Sequence, residues 1–434
     1  MQSQQSLCLR QLGANRAGEV RFGRLLKNPR VPAQGLAEGF YQGLSEIHAA
    51  HVLLLQDSST FTLSKYSSKH ADFGRTSAGQ KGRGFHLHPT LAVDAEQEDL
   101  YGLAHVHWWT RSTRQPSQKE DPIEQKESYR WLASPLRARQ RIPASVKTTM
   151  VADRESDIYE LFERLPPQGV EVLLRAAQDR KLAFAQGERL FHWISEQPLQ
   201  GQVDLILPAI PGKRQARQAK MQLRFGRLSI LPPGRLQPQS QPIDLYFVEA
   251  LESAESVPAK EQPVHWRLLT THCVQDLQQA QVCLRWYRQR WQIEQLFRTL
   301  KKQGLRLESS QLESRESFEK LTVLAVGVSV RTLQLVQARE GSQLRVGQVF
   351  SVKEVEVLRV LSTTLEGRTK QQQNPHQGSS LAWAAWIIAR LGGWKGHARE
   401  RKAGPITMFH GLQRFEQLKE GFQLAQQQKD LCIP

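Results

Sequence analysis

One stretch of the chain combines a phenol, two cations and a carboxylate at regular intervals. Residues 286–301 are predicted to form a helix that carries Tyr287, Arg290, Glu294 and Lys301 at steps of three, four and seven. Those steps bring all four side chains onto one helical face. The pattern suits an anionic ligand, with a metal ion held by the carboxylate and phosphate groups held by the cations.

Two aspartates each follow a short apolar segment that is predicted to be a buried strand. Asp57 comes after the strand at 51–55, and Asp153 comes after the strand at 148–152. Ligands of open α/β sheets bind at the carboxyl ends of the strands. Each aspartate also has a simpler interpretation, because Asp57 could begin an Asx turn and Asp153 could cap a helix that starts near 157.

Glu294 also has a simpler interpretation, since it lies four residues from both Arg290 and Arg298 and could form ordinary helical ion pairs. Three carboxylates together favour a different interpretation. They could hold two divalent cations about 4 Å apart, which would activate a water or hydroxyl nucleophile and neutralise the leaving oxygen of a phosphodiester. Mg²⁺ is the expected ion because it needs few protein ligands and keeps water and phosphate oxygens.

Composition points to a globular protein with a polyanionic partner. The chain has 434 residues, enough for two or three domains, and 59 Lys+Arg against 42 Asp+Glu give a formal charge of +17. A charge this positive favours nucleic acid over mere solubility. The scattered cysteines at 8, 273, 283 and 432 predict neither a disulfide framework nor a zinc site, which fits a reducing cytoplasm. No signal peptide is expected, and the longest apolar run, 321–330, is too short to span a bilayer.

The remaining pattern predicts an α/β core with a β-rich insertion. Strands are expected at 85–93 and 100–109, and Pro135 is expected to kink or break a helix at 128–140. Short alternating strands dominate residues 168–272, where 221–225 and 227–231 are read as separate strands. The chain is mainly helical from 274 onward. No internal repeat is found.

Three blocks of sequence carry a resemblance to a known family. They are Leu53-Leu54-Leu55-Gln56-Asp57-Ser58-Ser59, Val151-Ala152-Asp153-Arg154-Glu155-Ser156-Asp157-Ile158-Tyr159, and the Tyr287, Arg290, Glu294, Lys301 helix. The chain resembles the DDE transposases of the insertion-sequence-four family, transposon-five type. Lesser matches extend the resemblance, at Gly84-Phe85-His86-Leu87-His88, Trp108-Trp109-Thr110-Arg111, Trp266-Arg267-Leu268-Leu269-Thr270 and Ala389-Arg390-Leu391-Gly392-Gly393.

The resemblance implies an α/β fold in which a ribonuclease H-like catalytic core is interrupted by a mostly β insertion and followed by a helical C-terminal region. The resemblance divides the chain into five consecutive segments. They are a lead-in remnant of an N-terminal DNA-binding region at 1–50, the first part of the core at 51–167, a basic β-rich insertion at 168–272, the second part of the core at 273–365, and a polar linker with a helical dimerisation region at 366–434.

The resemblance also implies roles for individual residues. Asp57, Asp153 and Glu294 would be catalytic and would bind two Mg²⁺ ions, with Mn²⁺ as a substitute. The residues expected to bind DNA are Tyr287, Arg290, Lys301, Arg298, Trp266, Arg154 and Arg175. Trp266 would stack on a base flipped out of the transposon end, and the alternative that it belongs to the core stays open.

The implied activity is cut-and-paste transposition in the bacterial cytoplasm, in association with the nucleoid. Strand cleavage at a transposon end would be followed by a DNA hairpin, its opening, and strand transfer into double-stranded target DNA. The protein is expected to act as a homodimer on DNA, away from membranes. An apolar stripe in the last helix would form the dimer, although a contact within the chain is an equally open interpretation: Leu412, Phe415, Leu418 and Phe422.

The resemblance begins only at about residues 12–21, late in the family's N-terminal DNA-binding domain. This predicts a chain that lacks most of that domain. Three interpretations follow and stay open: an N-terminally truncated, non-transposing inhibitor that pairs with full-length transposase, a decayed gene, or a start codon assigned too late. The intact set of signature residues keeps the active enzyme as the first expectation.

Overall fold

A mixed sheet organises the molecule. The computed structural model describes residues 7–13, 15–63, 73–76, 82–111, 118, 120–184, 187–207, 214–236, 239–302, 304–310, 312, 314–396 and 400–431. Eleven strands join the sheet within these ranges. They are β1 His51–Gln56, β2 Ser59–Thr62, β3 Gly74–Arg75, β4 Arg83–Asp94, β5 Leu100–Trp109, β6 Lys147–Ala152, β7 Glu171–Arg175, β8 Gly201–Leu207, β9 Arg217–Ile230, β10 Ile243–Glu252 and β11 His265–Thr270.

The first half of the sheet combines an antiparallel meander with parallel strands. β4 pairs antiparallel with β1 and with β5, whereas β6 pairs parallel with both β1 and β7. The parallel strands β1 and β6 are buried along most of their length, as expected for strands covered on both faces. Because β1 and β6 run in the same direction, the residues that follow them, Asp57 and Asp153, lie at the same edge of the sheet.

The second half of the sheet is antiparallel and continues directly from the first. β8, β9, β10 and β11 pair in order, and β11 pairs with β7. The strand expected at 170–174 therefore pairs on one side with β6 and on the other with β11, and the insertion shares a sheet with the core.

The prediction of two strands at 221–225 and 227–231 was wrong, because β9 runs without a break from Arg217 to Ile230. Gly226 marks the point where a break was expected. It pairs with Phe247 of β10, and a side chain there would come within 3.3 Å of the Phe247 ring. The glycine makes room for an aromatic ring rather than ending a strand.

Helices cover the sheet and form the C-terminal region. They are α1 Leu9–Leu12, α2 Arg16–Lys27, α3 Ala33–Glu38, α4 Arg130–Arg139, α5 Tyr159–Arg164, α6 Leu190–Glu196, α7 Leu277–Gln289, α8 Trp291–Lys301, α9 Arg315–Ala338, α10 Val352–Leu365, α11 Leu381–Leu391 and α12 Pro405–Leu431. One hydrophobic cluster spans the sheet and the helices around it, up to α9. A second cluster unites α10, α11 and the start of α12.

Pro135 was expected to kink or break its helix, and the break is contradicted because Pro135 lies inside α4. Its ring removes one hydrogen bond, the one that would reach the Trp131 carbonyl. Trp131, Leu132 and Pro135 are all buried. Burial of this face against the sheet outweighs the lost hydrogen bond and keeps the helix continuous.

α9 is longer than the apolar run that marks it in the sequence. By length and composition it could cross a membrane, and it is the helix with this property in the part of the chain that the structure describes. However, 72% of its apolar window is buried within the protein. Its buried Lys320 donates hydrogen bonds to the carbonyls of Leu26 and Asn28. These contacts are those of a core helix.

Candidate active site

The helical region that carries the Tyr-Arg-Glu-Lys pattern is bent. It was expected to be one helix, but α7 ends at Gln289 and α8 begins at Trp291. At the bend, the Arg290 amide donates to the Tyr287 carbonyl at 3.1 Å, and the Ile293 amide donates to the Arg290 carbonyl at 3.1 Å. These contacts span three residues rather than four, which tightens the turn. Tyr287, Arg290 and Glu294 still face the edge of the sheet where β1 and β6 end.

Arg290 contacts all three predicted catalytic acids. Its Nη1 lies 3.3 Å from Asp57 Oδ2, and its Nη2 lies 2.6 Å from Glu294 Oε1 and 3.6 Å from Asp153 Oδ2. Asp57 follows β1, Asp153 follows β6, and Glu294 belongs to α8. Three acids that are far apart in sequence thus meet around one guanidinium group.

The cluster is only partly open to solvent. The exposed fraction of the side chain is 23% for Asp57, 32% for Asp153 and 32% for Glu294. Burial raises the pKa of Asp57 to about 6, although the charge of Arg290 and the Ser58 amide oppose the shift. Burial alone would lower the pKa of Arg290, but the negative charge of the three carboxylates raises it above its ordinary value, so the guanidinium stays charged.

Tyr287 extends the cluster toward the insertion. Its hydroxyl donates to Asp153 Oδ1 at 3.1 Å, and its ring meets Trp266 edge to face with centroids 5.3 Å apart. Burial, followed by the charge of Asp153, raises the pKa of Tyr287 to about 12, so the phenol keeps its proton. Arg175 lies 4.0 Å from Asp153 and donates to the His265 carbonyl.

The other predicted DNA-binding residues lie outside this cluster. Lys301 donates to the carbonyl of Thr60 at 2.6 Å and lies over the Phe61 ring, so it contacts β2 rather than the acids. Arg154 and Arg298 are exposed at the surface. Among the cations of the Tyr-Arg-Glu-Lys pattern, Arg290 is the one that meets the acids.

A cavity of about 1070 Å³ opens beside the cluster. Trp266, Tyr287 and Arg290 line it, together with residues 205–207 of the insertion and the chain at 404–405. Cations outnumber acids along its walls. The other cationic lining residues are Arg175, Arg214, Arg288, Arg339, Arg401 and Lys402. A half-buried tryptophan in a basic cavity suits a base and its phosphates.

The apolar stripe of the last helix divides into two parts. Leu412 and Phe415 are fully buried in the C-terminal hydrophobic cluster of their own chain. Leu418 is 44% exposed, and Phe422 packs partly against the same cluster. The first two residues make the intrachain contact that was the alternative interpretation, and the exposed end of the stripe stays a prediction for the dimer.

Sequence reasoning missed the surroundings of Asp57. Ser58 accepts a hydrogen bond from Arg130 and contacts the buried His88. The available signal was the His-Leu-His segment at 86–88, whose alternation places two histidines on one face of β4. A contact with Arg130 spans 72 residues of sequence and could not be read from local pattern.

The donor set suits a hard divalent cation, although the acids do not surround a common point in this conformation. No group of three or more His, Cys, Asp or Glu residues in the described ranges is arranged to hold an ion. Carboxylate oxygens are the ligands that Mg²⁺ prefers. The raised pKa of Asp57 indicates a poorly solvated carboxylate, whose charge a cation would stabilise. By the chemistry of their oxygen donors alone, Asp57, Asp153 and Glu294 suit such an ion.

A comparison with protein families identifies a domain that spans most of the sheet. Residues 49–330 match the family described as the transposase DDE domain, a stretch that begins just before β1 and ends within α9. It contains all three acids and the whole insertion. Proteins of this kind are nucleases and transesterases that act on DNA and generally use divalent metals. Since the match covers more than half of the chain, the protein belongs to the transposase DDE domain family.

Proposed function

We propose that the protein is a cut-and-paste DNA transposase in which Asp57, Asp153 and Glu294 are the catalytic, metal-binding acids. One observation carries the proposal. Three carboxylates from two strand ends and a helix converge on Arg290, at the side of a basic cavity. An ordinary helical ion pair would need only Glu294, so the two aspartates are what favour a catalytic cluster.

The sheet supports a ribonuclease H-like core. β5, β4 and β1 form an antiparallel meander, and β6 and β7 follow in parallel with β1. This order places two acids on adjacent strand ends, where a glutamate from a later helix can reach them. The transposon-five type is the finer assignment that the Tyr-Arg-Glu-Lys pattern favours.

The proposed metals are two Mg²⁺ ions, for which Mn²⁺ can substitute. When bound by the three acids, they would activate a water or a 3′-hydroxyl and neutralise the leaving oxygen of the phosphodiester. Arg290 contacts all three carboxylates and keeps its charge, so it can also meet a phosphate. Tyr287 keeps its proton and can donate to an anionic oxygen.

Trp266 and the cations around the cavity provide the proposed contacts to DNA. The Trp266 ring is half-buried, packs partly against the hydrophobic core and meets Tyr287 edge to face, and the Tyr287 hydroxyl contacts Asp153. Stacking of a displaced base on such a ring contributes about 1–3 kcal/mol. Arg175 lies between this ring and Asp153 in the sheet, and Lys301, Arg298 and Arg154 would contact phosphates further away.

The proposed reaction has four steps at one site. Water first cuts one strand at the transposon end, and the freed 3′-hydroxyl attacks the opposite strand to give a hairpin. Water opens the hairpin, and the 3′-hydroxyl then attacks target DNA. Each step breaks one phosphodiester P–O bond and forms another at the same phosphorus, so no covalent intermediate with the protein is required. A homodimer would bring two ends together.

The test uses DNA duplexes from both ends of the genomic element that encodes this protein. We expect Mg²⁺-dependent nicks and hairpin products on denaturing gels. Glu294→Gln should bind the same duplexes and leave them uncut, whereas Glu356→Gln, at an exposed position of α10, should cut normally. Cleavage by the Glu294→Gln protein, or no cleavage by the native protein in Mg²⁺ or Mn²⁺, would contradict the proposal.

A further inference from the structure

Arg130, the first residue of α4, reaches the turn that carries Asp57. Its Nε donates to Ser58 Oγ at 2.9 Å, and its Nη1 donates to the Glu127 carbonyl at 2.7 Å. Its Nη2 lies 3.5 Å from Glu155 Oε2, in the turn that follows Asp153. One guanidinium group thus contacts both turns that carry the aspartates.

Ser58 transmits this contact to the Asp57 carboxylate. The Ser58 amide donates to Asp57 Oδ1 at 2.8 Å. Its hydroxyl lies 2.9 Å from His88 Nδ1, while His88 Nε2 lies 2.8 Å from Gln56 Oε1. Since an amide oxygen only accepts, His88 Nε2 carries the proton and Nδ1 accepts from Ser58. The Ser58 hydroxyl therefore donates to His88 and accepts from Arg130, which fixes its position from two sides.

Aromatic rings fix the two partners of Ser58. The Arg130 guanidinium lies 4.8 Å from the centre of the Trp109 ring and 5.4 Å from that of Trp131. His88 has no exposed surface and meets Trp131 edge to face with centroids 4.5 Å apart. The histidine and tryptophan segments at 84–88 and 108–111 thus take part in holding the first catalytic turn, although neither contacts the acids directly.

We propose that Arg130 is a positioning residue that acts through Ser58 to hold the turn that carries Asp57 beside the turn that carries Asp153, so that the Asp57 carboxylate is oriented for metal binding. This inference rests on the proposed function. Arginine suits the task because its planar fork contacts several acceptors in fixed directions, which a lysine ammonium cannot reproduce. Loss of a residue that orients a metal ligand typically weakens metal binding by about 10–100-fold.

The main test measures Mn²⁺ binding by electron paramagnetic resonance in the presence of a DNA duplex, together with kcat and KM for cleavage. Arg130→Lys keeps the charge but loses the fork. We expect it to weaken Mn²⁺ binding at least tenfold and to lower kcat at an unchanged KM for DNA. Arg137→Lys, at an exposed position of the same helix, is the control and should match the native protein.

Two further variants separate positioning from folding. Arg130→Ala should recover Mn²⁺ binding when guanidinium ion is added, but not when ammonium is added. If Arg130→Ala fails to fold, Ser58→Ala cuts the same connection with a smaller change and should weaken Mn²⁺ binding in the same direction.

The outcomes are distinguishable. Native-like Mn²⁺ binding by Arg130→Lys would overturn the inference, as would a raised KM for DNA at unchanged metal affinity, which would make Arg130 a DNA contact. If the native protein binds no Mn²⁺, or if Glu294→Gln does not reduce the Mn²⁺ that it binds, the proposed function fails and this inference fails with it. If the native protein binds such Mn²⁺ and Arg130→Lys binds it equally well, only the inference fails.

Discussion

Two charged clusters in this protein are inverses of one another. In the insertion, Glu249 accepts from Arg224 at 2.8 Å, His265 at 2.8 Å and Arg267 at 3.0 Å, and its side chain is only 2% exposed. At the candidate site, one guanidinium meets three carboxylates that are 23–32% exposed. The first cluster surrounds one acid with donors, and the second surrounds one cation with acids.

The two clusters differ in whether the negative charge of their carboxylates is fully paired with cations. Burial would raise the pKa of Glu249, but the hydrogen bonds from His265 and Arg267 outweigh it and lower that pKa, so the carboxylate is fully paired. At the candidate site the acids outnumber Arg290, and burial raises the pKa of Asp57. A paired buried acid stabilises the fold, whereas acids in excess at an open edge can bind a cation.

The largest effect is expected from Asp153→Asn. It removes one carboxylate charge from the open cluster while the side chain can still accept from Tyr287. Cleavage in Mg²⁺ should fall by roughly 10³-fold or more, as for other residues that act as a catalytic unit. Single-turnover kinetics would measure the loss, with thermal unfolding as a check of folding. Asp244→Asn, which affects an exposed pair with Arg227 in the insertion, should leave the rate unchanged.

Glu249→Gln should lower the stability of the protein and leave its cleavage rate unchanged, the opposite of what is expected for Asp153→Asn. Three donors would lose a buried charged acceptor, so the free energy of unfolding should fall by about 3 kcal/mol. This value is near the low end for a broken buried ion pair because the cations that lose their partner are partly exposed to solvent. Urea denaturation would measure the change, and the cleavage rate of the folded fraction should persist. The control, Glu255→Gln, affects a 79% exposed carboxylate. A stable Glu249→Gln protein without activity would reverse the comparison.

Arg290→Gln should increase the excess of negative charge. Without the guanidinium, the three carboxylates repel one another and should bind Mn²⁺ more tightly in the absence of DNA, by about tenfold, equivalent to roughly 1.4 kcal/mol. Cleavage should nevertheless fall because a phosphate contact is lost. Mn²⁺ titration at pH 8 would test this, with Arg298→Gln on the exposed face of α8 as control. Weaker Mn²⁺ binding by Arg290→Gln would show that the guanidinium organises the acids rather than competing with cations.

The smallest expected effect is a pH dependence that arises from Asp57. Its pKa is raised from 3.8 to about 6, so the folded state holds this proton more tightly than the unfolded state does. Its contribution to the free energy of unfolding is therefore full below pH 4 and is lost as pH rises through 6. Asp57→Asn should remove this slope.

Mn²⁺ binding should show the opposite trend with pH, falling as the solution is acidified through about pH 6, because the metal needs the ionised carboxylate. The two trends together distinguish Asp57 from a group that titrates without binding metal. Equal Mn²⁺ affinity at pH 5 and pH 8 would contradict this prediction.

The sequence predicted the acids but not how they are held. Asp57 and Asp153 could be recognised because apolar strands end immediately before them, and the strand direction then places them together. The Tyr-Arg-Glu-Lys spacing located Arg290 and Glu294, although Lys301 contacts β2 instead. Local pattern could not show that Arg290 lies at a bend, since the bend depends on two hydrogen bonds that any residue types could form.

The features that sequence reasoning missed depend on distant contacts. Gly226 looked like a turn, yet it faces the Phe247 ring. Pro135 looked like a helix break, yet burial keeps α4 intact. The partnership of Arg130 with Ser58 depends on where α4 packs on the sheet, which no short segment specifies.

β7 is hydrogen-bonded to β6 on one side and to β11 on the other. Asp153 follows β6, and Trp266 lies near the start of β11. The axes of β6 and β11 are therefore separated by two strand spacings of about 4.8 Å each. Peptide hydrogen bonds, rather than a flexible connection, set this interval. The strand spacing therefore sets the distance between Trp266 and the acids. If DNA binds as proposed, this distance fixes the number of nucleotides between a base stacked on Trp266 and the phosphate that is cut. A different number of nucleotides would require a different arrangement of strands.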